Sequence, residues 1–227
     1  MRNISLLFTL VFLFISMNVN AGVIIGGSRM IYQGDKKEDA ISIENPDASP
    51  FLIQSWIEDA TGTLLKDNTP FIVTPPLFRL DSKQKNILRI VRTMRSLPQD
   101  KESLFWLNIK SIPSKSNAND NTLQIAVRSR LKLIYRPDSL SDEGPEQQAM
   151  KLKWARQNNK LTVTNPSAYF INFMSVRINN KKITEGGFVS PGASVIFNIP
   201  TGITTGDLSW RIINDYGGIG AEHHTQI

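Results

Sequence analysis

The stretch LQIAVRSRLKLIYRP, Leu123–Pro137, decides how this chain is read. Leu123, Ile125, Val127, Leu131, Leu133 and Tyr135 share one parity, whereas Gln124, Arg128, Arg130, Lys132 and Arg136 share the other. Side chains alternate between the two faces of a strand, so the pattern predicts a β-strand with one apolar and one basic face. Unbroken, the segment would extend about 40 Å at ~3.3 Å per residue. Strands in globular proteins are usually far shorter, so part of this one is expected to overrun its own sheet. An overrunning apolar edge invites aggregation unless another chain covers it. Two readings follow: a long core strand with its cations in solvent, or an edge lent to a partner by β-augmentation.

The chain around this segment reads as almost entirely β. Short runs rich in Val, Ile, Phe and Thr alternate with Pro, Gly, Asn and Asp. Before the linker, strands are expected at Val23–Arg29, Ala40–Glu44, Phe51–Glu58, Phe71–Thr74, Asn86–Thr93, Leu104–Ser111 and Leu123–Arg136, with room for one helical turn near Leu97–Ser103. Asp138–Gln148 is polar and contains Gly144-Pro145, which marks a linker. A second series follows at Lys151–Arg156, Lys160–Asn165, Tyr169–Asn179, Ser194–Ile199 and Ser209–Asn214, with hairpin turns at Gln157-Asn158-Asn159 and Asn179-Asn180. The remainder, Gly217 to Ile227, reads as a loose tail. The expected architecture is all-β, two sandwiches in tandem, with a first domain over 22–140, a linker over 141–150 and a second, smaller domain over 151–227.

The start of the chain sets the compartment. Arg2, the apolar run Leu6–Ile15 and the small residues of Val19-Asn20-Ala21 read as a signal peptide over 1–21, cut before Gly22. No later run is apolar and long enough to span a bilayer, so stable membrane insertion is not expected. The chain contains no cysteine, which excludes thiolate chemistry, Cys-ligated zinc and disulfide staples. The net charge of +6 is spread along strand-like segments and forms no Lys/Arg run, so nucleic acid is not an expected partner.

Catalytic signatures are missing. The only histidines, His223 and His224, are adjacent, which would aim them to opposite faces of a strand, and an exposed tail is expected to carry them. There is no GxSxG elbow, Walker A loop or HExxH motif. No catalytic residue, metal ligand or cofactor site is assigned.

Several strings together resemble the PapD-like periplasmic chaperones of the chaperone–usher family. LPQDKESLFWLNIKSIP (Leu97–Pro113) resembles the family's signature segment and is followed at the family's spacing by Leu123–Pro137. SRMIYQG (Ser28–Gly34), NPDASPFLIQSWIED (Asn45–Asp59), FIVTPPLFRLD (Phe71–Asp81) and INDYGG (Ile213–Gly218) match further strings in order. The resemblance implies two immunoglobulin-like domains in a boomerang arrangement. It implies a non-enzymatic periplasmic chaperone that caps pilus subunits by donor-strand complementation and passes them to an outer-membrane usher without ATP. It implies that Leu123, Ile125 and Val127 fill the subunit's open groove, that Arg29 and Lys132 hold the subunit's C-terminal carboxylate, and that Glu102, Arg136 and Asp215 form ion pairs between the domains. The short polar loop Ser114–Thr122 resembles the short-loop subfamily that builds rod-like pili. Ending soon after INDYGG leaves the last strands of the second domain in doubt.

The parity of Lys132 needs an explanation. It falls opposite Leu123, Ile125 and Val127, so either a bulge intervenes or the cleft and the groove lie on different sides of the strand. The competing reading is an exported immunoglobulin-like binding module, a lectin or adhesin, which would have no need of Arg29 and Lys132 together.

Overall fold

A computed structural model describes residues 22–65, 69–93, 97–114, 123–140, 143–203 and 205–227. The expected signal peptide 1–21, loop positions 115–122 and linker positions 141–142 lie outside them.

The first series comprises β1 (Ile24–Ile25), β2 (Arg29–Gln33), β3 (Glu38–Glu44), β4 (Phe51–Glu58), β5 (Phe71–Thr74), β6 (Leu77–Leu80), β7 (Lys85–Arg92), β8 (Ser103–Pro113) and β9 (Val127–Arg136). They form two sheets, ordered β1-β3-β7-β5 and β2-β9-β8-β4-β6. Every pair is antiparallel except β2 with β9. Alternation drives the packing. On β7, Leu88 and Ile90 are buried while Ile87 and Arg89 face outward; on β3, Ile41 and Ile43 are buried while Ser42 is exposed. Tyr32, Phe71, Phe105 and Tyr135 occupy the core between the sheets, Phe71 lying 4.8 Å from Tyr32 and 5.3 Å from Phe105 between ring centroids.

The expected strand Val23–Arg29 is broken. β1 pairs with β3 in one sheet, residues 26–28 cross over, and β2 pairs with β9 in the other. Gly26 leans so closely on Ser42 that a Cβ would collide with its hydroxyl, which is why the crossing can be this tight. The consequence falls on β9. β2 reaches it only from Lys132 to Arg136, while β8 flanks it from Val127 to Tyr135. Val127–Leu131 therefore has a partner on one side only among the described residues.

The second series comprises β10 (Lys153–Gln157), β11 (Lys160–Thr164), β12 (Ile171–Ile178), β13 (Lys181–Glu185), β14 (Phe188–Val189), β15 (Ser194–Asn198), β16 (Asp207–Ile213) and β17 (Ile219–Gln226). One sheet is β10-β11-β15; the other is β13-β12-β16-β17, with β14 also on β12. The turn Asn179-Asn180 has φ of 48° and 63°, a left-handed pair that asparagine tolerates and that fits a tight hairpin. A separate core gathers Leu161, Val163, Ile171, Phe173, Val176, Leu208, Trp210 and Ile212. The architecture is two immunoglobulin-like sandwiches in tandem.

Two expectations are corrected. Leu123–Arg136 is not one strand: pairing starts at Val127, and residues 123–126 lie outside any ladder. The tail is not loose, because β17 pairs with β16 from Asp207↔Gln226 to Ile213↔Ile219, and His223 stacks on Trp210 at 5.6 Å. The linker stretch carries short helical structure of its own. Asp138–Leu140 and Ala149–Lys151 are 3-10 turns around a short helix α1 (Pro145–Gln148), with Pro145, Gln148 and Ala149 buried. Near Leu97–Ser103 the described residues hold no helical turn.

Same-parity residues of one segment thus lie in opposite environments, which gives a direct test. Leu133→Ala removes a fully buried side chain and is expected to cost about 2–5 kcal/mol in urea unfolding. Leu123→Ala, at 87% exposure, is expected to shift the stability of the free protein by less than about 0.5 kcal/mol.

Candidate functional site

The parallel register of β2 on β9 places Arg29 directly opposite Lys132. Residues a hundred positions apart in sequence thereby become lateral neighbours on one face. The pair sits between the domains. Arg29 Nη1 donates to the Ile213 carbonyl at 3.4 Å, and Lys132 Nζ donates to Asn172 Oδ1 and lies 4.4 Å from the centre of the Phe188 ring. Burial lowers the Lys132 ammonium to about 8, and the Arg29 charge adds to the effect. Burial also lowers Arg29 from its ordinary value, with Asp215 pulling the other way. Arg29 Nε is buried without a hydrogen-bond partner among the described residues. Two neighbouring cations are thus desolvated against each other and supplied only with neutral acceptors. Such a place favours an incoming anion, and a carboxylate fits it best, since it can accept from the guanidinium and the ammonium together.

Below this pair lies an ion network. Arg136 donates from Nε to Glu102 at 2.7 Å and from both terminal nitrogens to Asp215, at 2.7 and 2.9 Å. Glu102 also accepts the Phe170 N–H at 2.7 Å, and its own N–H donates to the Ala168 carbonyl at 2.9 Å. Each domain therefore sends a carboxylate to Arg136, and Glu102 reaches the backbone of the other domain. Burial pushes the Glu102 carboxyl up to about 7 against the pull of Arg136. For Arg136, burial opposes the charge, but the hydrogen bonds to Asp215 and the Glu102 charge outweigh it and hold the guanidinium above its ordinary value. The INDYGG string shapes the turn that delivers Asp215. Asn214 Oδ1 accepts from the Tyr216 and Gly218 N–H groups at 3.1 and 2.8 Å, and Gly217, at φ 83°, presses against Ser28 where no Cβ would fit.

The groove-filling candidates lie at the other end of the segment. Leu123, Ile125 and Val127 are 87, 66 and 53% exposed, and they lead into the unpaired edge Val127–Leu131. The parity question has a plain answer. The β8–β9 register runs unbroken from Ser111↔Val127 to Ser103↔Tyr135, so no bulge intervenes. Leu131, Leu133 and Tyr135 enter the core of the first domain, whereas Lys132 and Arg136 face the second domain on the opposite side of the strand.

The cleft contains residues the sequence did not single out. Asn172 and Phe188 contact Lys132, and Phe170 joins Leu104 and Ile134 in a small apolar cluster between the domains. Nothing local marks them, since they matter only because β12 and β14 face β9. The basic face of β9 was visible, but not its stacking. Lys132 lies over Phe188, Arg130 over Trp106 at 4.1 Å and Arg128 over Trp56 at 5.0 Å. The described residues hold no cluster of three His, Asp or Glu arranged to bind a metal, and no helix long and apolar enough to cross a membrane.

Comparison with known proteins places this architecture. The pili and flagellar-assembly chaperone PapD N-terminal domain matches residues 22–141, and the pili assembly chaperone PapD C-terminal domain matches residues 147–224. The chain belongs to the PapD-like family of pilus-assembly chaperones. It is 42% identical over 210 residues to the probable fimbrial chaperone LpfB of Escherichia coli O157:H7, covering 90% of this chain and 89% of that protein. It is 42% identical over 203 residues to the chaperone protein FimC of Escherichia coli K12, covering 88% and 82%. Among solved structures, a chain of the Salmonella enterica SafA pilin–SafB chaperone complex superposes with a TM-score of 0.83 at 36% identity, covering 92% of this chain and 97% of that one.

The geometry predicts two stability effects of opposite sign. Glu102→Ala strips an acceptor from buried Arg136 and from the Phe170 N–H, and is expected to cost about 3 kcal/mol by thermal or urea unfolding. Lys132→Met is expected to stabilise the free protein at pH 7, on the order of 1–3 kcal/mol, because it removes a desolvated charge. The sign follows from the titration. A base whose folded value falls from 10.5 to about 8 disfavours the fold at low pH and ceases to do so as pH rises through that window. Wild-type stability should therefore gain across pH 8–10.5 relative to Lys132→Met.

Proposed function

We propose that this chain is a non-enzymatic periplasmic chaperone that completes a pilus subunit with the edge of β9 and hands it to an outer-membrane usher. On this reading 1–21 is a cleaved signal peptide, 22–140 and 151–227 are the two domains and 141–150 joins them. Leu123, Ile125 and Val127 enter the subunit's open groove. Arg29 and Lys132 hold its C-terminal carboxylate. Glu102, Arg136 and Asp215 fix the angle between the domains. No cofactor or nucleotide takes part; the free energy comes from the subunit's own folding when it exchanges the borrowed strand for a neighbour's.

One observation supports this reading above the others: two desolvated cations without a bonded carboxylate stand at the inner end of an unpaired strand edge, and an exposed apolar run stands at its outer end. A strand that enters carboxylate-first is held at its terminus by the cations and along its backbone by the edge, while the apolar run fills its sandwich. The solved complex cited above has a related chaperone bound to a pilin.

Co-expression with a cognate pilin tests the assignment. Arg29→Ala or Lys132→Ala is expected to abolish recovery of the pilin with the chaperone, and undiminished co-purification would refute the carboxylate role. Binding should also depend on pH. A carboxylate favours the protonated ammonium, so affinity is expected to be highest below pH 8 and to fall above it by at most about tenfold per pH unit. Titration of wild type against Lys132→Arg, whose guanidinium stays charged over this range and should remove that slope, measures the effect.

A further inference from the structure

The even-numbered face of β9 is a row of cations, each laid on an aromatic ring: Arg128 on Trp56, Arg130 on Trp106, Lys132 on Phe188 and, past Ile134, Arg136 on Tyr169 at 5.3 Å. Lys132 and Arg136 have roles in the reading above. Arg128 and Arg130 do not. They flank the unpaired edge, and both meet one carboxylate, that of Glu58, whose side chain is 8% exposed. Arg128 Nη2 donates to Glu58 Oε1 at 2.6 Å, and Arg130 Nη2 lies 3.3 Å from Oε2 as an ion pair. Trp56 Nε1 donates to Glu58 at 3.0 Å, and Asn108 Oδ1 accepts from Arg128 Nε at 2.9 Å. The rings and the buried carboxylate fix both guanidinium groups in place, which spares much of the side-chain entropy that a free arginine loses on binding. The cluster retains one positive charge in excess and continues directly into the Arg29–Lys132 pair.

We propose that Arg128 and Arg130 select clients whose C-terminal strand carries acidic residues at alternate positions. The inference rests on the carboxylate reading of Arg29 and Lys132. A strand whose terminus lies at that pair takes the place that β2 leaves vacant beside Val127–Leu131, and so runs parallel to β9 about 4.8 Å away. Laterally paired residues point to the same face, so every second side chain of the client strand stands beside Arg130 and then Arg128. The intervening side chains lie on the apolar face. Opposite charges paired in this way favour binding, and like charges oppose it. The Glu58 network thus acts as a filter on one parity of the client's terminal strand.

Synthetic strand peptides with a free C-terminal carboxylate and alternating apolar residues provide the test, with binding to the full chain measured by calorimetry at low ionic strength. One peptide set carries Glu or Lys at odd positions counted from the carboxylate, the other at even positions. Glu is expected to bind roughly three- to tenfold tighter than Lys in one set only. Arg128→Gln with Arg130→Gln should erase the preference while Lys-peptide binding persists, which also shows that the variant is folded. Equal binding of Glu and Lys peptides, a Glu preference in both sets alike, or a preference unchanged in the double variant would each overturn the proposal. Amidated peptides separate the two ideas: if amidation costs no affinity, the carboxylate reading fails, whereas the acidic filter is judged by the parity comparison.

Discussion

The pleat of a single strand governs this molecule. β9 is flanked by β8 along nearly its whole length and by β2 along only half of it, and its two faces serve different ends. Odd residues from Leu131 onward build the core of the first domain. Even residues form the floor of the cleft and meet the second domain through Lys132 and Arg136. A one-residue slip would exchange the two sets, burying arginines and exposing leucines. The crossover at residues 26–28 matters as much, because it removes β2 from β9 where the odd residues pass beyond the core.

Stability and function conflict in the cleft. Arg29 and Lys132 lose water without gaining a bonded carboxylate, and burial shifts both away from their charged forms. In the Arg136 network a few residues on, Arg136 and Glu102 are buried more deeply still, yet each carboxylate there finds a guanidinium and Glu102 also finds a backbone donor. The contrast separates paired charges from two cations that have only neutral acceptors among the described residues. On the proposed reading the completed network holds the angle between the domains, and the uncompensated pair stores unfavourable free energy that an arriving carboxylate would relieve.

Much of the fold was legible because alternation and turn residues agree. β4 and β5 lie where their patterns put them, and the Asn179-Asn180 turn has the expected left-handed geometry. The failures have physical causes. β17, IGAEHHTQ, has no apolar alternation and exists because β16 offers it an edge and Trp210 offers His223 a ring. β13, KKITE, was not expected as a strand, and it pairs through its hairpin with β12. The short strand β6 follows Pro75-Pro76 and was missed beside them. At the site, spacing put Leu123, Ile125 and Val127 on one face, but their groove-filling role came from the family resemblance. The adjacency of Arg29 and Lys132 could not be read from spacing, since it depends on a parallel pairing across a hundred residues, and only the family resemblance pointed to it. Asn172 and Phe188 had no signal at all, because a cleft between domains leaves no local pattern in either.

The proposed exchange of strands also needs a donor that binds firmly but not permanently. Burying Leu123, Ile125 and Val127 contributes about 2 kcal/mol each, roughly 6 in all. Fixing the backbone of residues 123–126, which lie outside any ladder in the free protein, costs about 1–2 kcal/mol each, roughly 4–8 in all. The two nearly cancel, so the exposed run is a weak glue by itself. The margin must then come from the edge hydrogen bonds and the carboxylate at Arg29 and Lys132. On the proposed reading, leaving residues 123–126 unpaired until a subunit arrives would keep the complex reversible, and placing the cations at the far end would make it depend on a chain terminus rather than on any exposed apolar strand. A donor strand fully ordered in advance would bind clients more tightly, and would release them more slowly to the neighbour that must replace it.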